Sequence, residues 1–200
     1  MKLILQDKMP TTRNRERGMS LIELMISMLV LAIGLAAITI LITTAIGTNN
    51  RNSKDTTSTM LAQMVIEEIA AQDPNSGVVN IPITDCAGNA FNINVTGGAS
   101  PNGAGATLVT NTGSSSYGAI DQTQAVAAIT AGYQMNYVDC SAAGGTKNTY
   151  DVRWNVMTIN ATNTRLITSS ARLSNSSSGL LGGPLFNLPV NLRGIGGHTQ

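Results

Sequence analysis

One carboxylate, Glu23, is the sole charge in the stretch 19–46, which is otherwise built from apolar and small side chains. About 20 such residues span a bilayer as helix. A carboxylate at that depth is costly unless a cation neutralises it, so Glu23 is the first residue whose type and position demand a chemical partner. Next come Cys86 and Cys140, both beyond the apolar stretch. Asp85 and Asp139 each directly precede one of those cysteines, as a carboxylate pair gathered by a bridge or as turn residues at strand ends, the reading favoured here. Side-chain catalysis has little to work with. The one histidine is His198, and the chain has no Gly-x-Ser-x-Gly elbow, phosphate loop or HExxH pair. Tetrahedral zinc lacks ligands without a Cys-x-x-Cys, and no EF-hand spacing offers a calcium loop. No enzyme activity, cofactor or metal site is expected.

The elements that must position these residues follow from length and pattern. The chain has 200 residues, room for one long helix and one modest head. Residues 1–18 carry five Lys or Arg and two acids, net +3, and residues 19–200 carry seven and nine, net −2. The basic leader reads as a targeting element that stays cytoplasmic. The scattered cations of the rest give no phosphate-binding surface, so no nucleic acid is expected as a partner. Helical periodicity resumes at Leu61, Met64, Val65 and Ile69, and Asp73-Pro74 is the first firm stop, which predicts a helix over 19–72 with its membrane part at 19–46. Smooth curvature or a break is expected near Gly47 and Asn49-Asn50.

Residues 73–200 read as an extracytoplasmic head. Residues 89–96 predict a strand, 97–118 a flexible loop, and 122–129 a helical turn. Tyr133, Met135 and Tyr137 share one strand face, Val152, Trp154 and Val156 another, and 166–173 form a third strand, an antiparallel meander tightened at 160–164 and covered by the helix at 60–69. Residues 180–200 are expected to pack only partly. The fold class is therefore α+β, a long helix on a small antiparallel head. With the cysteines outside the cytoplasm, where disulfides persist, Cys86 and Cys140 are expected to pair, worth roughly 3 to 4 kcal/mol on the chain-entropy account. Two reduced, buried thiols are the alternative.

Arg15-Glu16-Arg17-Gly18-Met19-Ser20-Leu21-Ile22-Glu23, running into the apolar stretch, resembles the N-terminus of the type IV prepilin family of pilus subunits and pseudopilins. The family's usual Gly-Phe-Thr-Leu-Ile-Glu stands here as Gly18-Met19-Ser20-Leu21-Ile22-Glu23. The run 29–35, Leu-Val-Leu-Ala-Ile-Gly-Leu, is most similar to minor pilins of the PilV type. The resemblance implies cleavage between Gly18 and Met19 by a prepilin peptidase, N-methylation of Met19, and pairing of Glu23 with the freed amine of a neighbouring subunit. It implies a pilin-like fold. Other pilins and minor pilins, the inner-membrane assembly platform and the membrane itself are the implied partners. The implied course runs from a single-pass protein of the bacterial inner membrane, head in the periplasm, to a pilus filament. The alternative within the family is a pseudopilin of type II secretion or DNA uptake.

Overall fold

The computed structural model describes residues 19–74, 76–109, 118–140, 147–159, 164–174 and 188–197. Helix α1, Leu21–Ala70, is unbroken and passes through Gly47 and Asn49-Asn50 without the interruption that their composition invites. Its side-chain hydroxyls are turned back on the helix: Ser27 donates to the Glu23 carbonyl, Thr39 to Leu35, and Thr43 and Thr44 to Ile40. That satisfies them without water and leaves the outer surface of 19–46 apolar. The chain divides into two compact units, residues 1–47 and 48–200. In the first, every described residue is exposed.

The second unit contains the rest of α1 and the sheets. Buried positions Ser58, Leu61, Ala62, Val65 and Ile69 recur at helical spacing and form one stripe on α1. Each large aliphatic in it is worth about 1.5–3 kcal/mol when buried. Strands β1 (Asn80–Thr84) and β2 (Ala90–Asn94) form an antiparallel hairpin. The larger sheet has β3 (Gly98–Ala99), β4 (Ala104–Gly105), β5 (Gln134–Asp139), β6 (Asn148–Ile159), β7 (Thr164–Leu173) and β8 (Val190–Gly196). The expected three-strand meander is present, β5, β6 and β7 pairing antiparallel in chain order, and β8 extends it by a fourth strand. The sheet is not purely antiparallel, because β3 pairs with β6 in parallel.

The 12-residue strand β6 is the centre of the head, and it is buried on both faces. Tyr150, Val152, Trp154 and Val156 lie in register with Leu173, Ala171, Ser169 and Ile167 on the face turned to α1. Here the edge strand β8 carries Gly194 and Gly196, where a side chain would run into Ile66 and Ala70 of the helix. The opposite face presents Asp151, Arg153 and Asn155, all buried.

Asn155 is covered by the segment expected to be a flexible loop, a correction to the expectation over 97–109, and Arg153 by the turn at 121–124. Asn155 Nδ2 donates to the carbonyls of Asn102 and Ala106, each at 2.9 Å. Ala106 and Leu108 are buried, and Leu108 bridges Ile120. Gly103 and Gly105, at φ +67° and +109°, bring this backbone against Asn155 and Trp154 at distances no side chain would allow. The expected turn at 122–129 is a short 3₁₀ helix, Val126–Ala128. Four strands were not anticipated: β1, the short β3 and β4 within the expected loop, and β8 within the stretch expected to pack only partly. The tight connection at 160–164 falls mostly outside the described residues.

Candidate functional site: the helix N-terminus and its linked head

Met19 and Ser20 lead directly into α1, and the Ser20 carbonyl accepts hydrogen bonds from the amides of Glu23 and Leu24 at 3.0 and 3.1 Å. Glu23 is the third residue of the helix, within the first turn, where unpaired amides and the helix dipole favour an anion. The Ser20-x-x-Glu23 spacing is that of a capping box, a start signal that periodicity alone does not weigh. Among the described residues the Glu23 carboxylate has no hydrogen-bond or ion-pair partner, and Met19, Leu21 and Ile22 around it are 63–79% exposed. Glu23 thus stands on an exposed apolar helix, four residues after Met19. Gly18 itself lies outside the described residues.

A family model described as the prokaryotic N-terminal methylation motif matches residues 13–39. The chain carries a prepilin-type N-terminus. The match spans the end of the basic leader, the Gly18-Met19 junction, Glu23 and most of the apolar run. Comparison with curated proteins and with solved structures finds no match. This prepilin-type motif indicates a precursor like those of type IV pilins and pseudopilins, processed by a prepilin peptidase and assembled with other pilins, and it points to a structural subunit rather than an enzyme. Together with a helix long and apolar enough to cross a bilayer, it fits a membrane anchor. The α+β architecture, a long helix against a β-sheet, is pilin-like.

In the head, Cys86 and Cys140 are bonded, with Cα atoms 6.0 Å apart. The bridge ties the β1–β2 turn to the end of β5, joining the hairpin to the main sheet. Asp85 serves the same joint. Its Oδ1 accepts from the amides of Ala87 and Asn89 at 2.9 and 2.8 Å, and its Oδ2 from Asn89 Nδ2 and the Val138 amide at 2.8 and 3.1 Å. Burial pushes the Asp85 carboxyl up, yet the bonds from Asn89, Val138 and Ala87 together hold it below the ordinary carboxylate value. Asp85 and Asp139 do gather near one another: burial first, then both of their charges, raise the Tyr137 phenol. With its acceptors committed to the turn and the adjoining strand, Asp85 is a structural residue and not half of an acid–base pair.

A second polar cluster has no counterpart among the expected sites. Arg153 Nε donates to both Asp151 carboxylate oxygens at 2.9 and 3.0 Å, its Nη2 to Oδ2 at 2.8 Å, and its Nη1 to the carbonyls of Gln124 and Asp121 at 2.7 and 3.3 Å. Arg172 adds a contact to Asp151 at 3.2 Å. The cluster clamps the 121–124 turn onto β6. Alternate charged residues in a strand look like a solvated face, so no signal short of the covering segment reveals it. Among the described residues, no group of three or more His, Cys, Asp or Glu is arranged to hold a metal ion.

Proposed function

We propose that the chain is a minor pilin-like structural subunit of a type IV pilus. The peptidase removes the leader, residues 1–18, by cutting after Gly18, and Met19 becomes the methylated N-terminus. Residues 19–46 cross the inner membrane within the helix that ends at Ala70, and the head, residues 73–200, faces the periplasm. On assembly the same apolar segment exchanges lipid for the helices of neighbouring subunits. Glu23 then meets the ammonium of Met19 on a neighbour, because leaving either charge alone in an apolar core costs several kcal/mol and pairing recovers much of it.

The observation that carries this reading is the methylation motif at residues 13–39 continuing into an exposed apolar helix whose sole early charge is Glu23. The bonded cysteines support a head outside the reducing cytoplasm. Gly18→Glu tests the processing step, since a bulky charge replaces the residue next to the cut bond. The variant is expected to accumulate at precursor size on an immunoblot while the unaltered chain runs at the shorter, mature size. Equal, short products from both would remove the basis for the proposal.

A further inference from the structure

The end of β6 and the start of β7 lie at the end of the sheet near Ala70, where α1 stops. Thr158 and Arg165 are opposite each other there, in register, and Gly196 of β8, opposite Arg165, lies against Ala70. The chain leaving the helix returns over this end through Pro74, Val78 and Val79. Between that strap and the sheet is a pocket of about 270 Å³. Gly97 forms part of its wall and, lacking a side chain, lets the Thr158 hydroxyl approach.

Arg165 lines the pocket and is 8% exposed. Its Nη2 donates to the Pro74 carbonyl at 3.3 Å, and among the described residues its buried Nη1 has no hydrogen-bond partner. Burial lowers the affinity of the guanidinium for its proton, and the charge of Asp73 on the strap partly offsets this. An arginine does not shed its charge at any ordinary pH, so an unmatched buried donor stays unfavourable until an acceptor arrives. The Tyr133 hydroxyl donates to the Thr96 carbonyl at 2.6 Å, and among the described residues it does not pair with this Nη1.

We propose that this pocket binds a small carboxylate, with Arg165 as the group that recognises the anion and the Thr158 hydroxyl as a second donor. A single guanidinium, with no lysine or second arginine lining the pocket, matches one negative charge better than a doubly charged phosphate, and its planar fork fits a carboxylate. Val78 and Val79 are 42% and 50% exposed and provide an apolar rim for the rest of the ligand. The volume lies just under the roughly 300 Å³ at which ordinary ligand pockets begin, which suits a small organic acid or one acidic sugar unit. This inference concerns the head alone and does not depend on the filament reading.

The test uses the full chain in detergent micelles, titrated with sodium acetate, sodium glucuronate and inorganic phosphate, with binding read from ligand signals by saturation-transfer NMR. Saturable binding of acetate or glucuronate is expected, with phosphate at least tenfold weaker. Equal affinity for the two carboxylates assigns recognition to the anion alone, whereas a preference for glucuronate assigns it to an acidic sugar. Arg165→Gln is expected to weaken binding about tenfold or more. Val79→Glu, at an exposed rim position that leaves the fold intact, is expected to do the same by placing a competing carboxylate at the mouth. The proposal is overturned by no saturable carboxylate binding, by phosphate binding as well as the carboxylates, or by carboxylate affinities unchanged in Val79→Glu.

Discussion

Glu23 shows how one charge can organise a molecule. Along the apolar part of the helix it stands alone, at the end where helix amides tolerate an anion and four residues after Met19, the proposed mature N-terminus. Glu23→Ala is expected to leave leader removal intact and to reduce incorporation into sheared filaments by tenfold or more, since each loss of about 1.4 kcal/mol in pairing is a factor of ten. Fractionation and immunoblotting read both quantities, and unchanged incorporation would contradict the role. Asp85 sets a different expectation. Its folded pKa is depressed, so its contribution is present above the unfolded value near 4 and is lost as pH falls through the lower folded value. Asp121, held low first by the Thr123 hydroxyl and amide, acts in the same direction. Thermal melts of the chain should therefore fall steeply below about pH 4, and Asp85→Asn should flatten that fall while lowering the melting temperature at neutral pH. An unaltered acid profile in the variant would show that the turn does not govern acid stability.

At the scale of elements, β6 decides the head. Its apolar alternation was readable, and Tyr150, Val152, Trp154 and Val156 do face the core. Asp151, Arg153 and Asn155 were not readable as buried, because period-2 patterning assigns polar positions to water and cannot register a covering segment made of glycine, alanine and backbone. The same limit hid β8, whose Gly194 and Gly196 weaken a strand signal at the very positions where α1 needs close approach. Arg153→Met should cost about 3–5 kcal/mol in chemical denaturation, because it strips most of the pairing from buried Asp151 and frees the 121–124 turn. Gly194→Val should destabilise by about 1–3 kcal/mol as its side chain meets Ile66. In either case a variant within about 0.5 kcal/mol of the parent, the range of an ordinary surface substitution, would refute the packing described. The Cys86–Cys140 bond closes a 54-residue separation, worth about 4 kcal/mol by the entropy of the unfolded loop.

Over the whole molecule, two regions follow different physical rules. The apolar part of α1 was readable because lipid and helix packing impose one simple requirement, a long uncharged run, and the methylation motif adds a processing signal to it. The head was readable in class and in the order of its central strands, but not in its covering segment, the first strand of its hairpin or its pocket, which arise from contacts between residues distant in sequence. On the proposed reading both regions serve one course: a precursor held in the membrane, cut, and stacked through its helix while the head remains outside. The most direct test is mass spectrometry of the chain recovered from filaments sheared from cells. A polypeptide beginning at Met19 is expected, with one methyl group on its amine and the two cysteines oxidised. A chain that begins at Met1, found in membranes and absent from filaments, would contradict the proposed course.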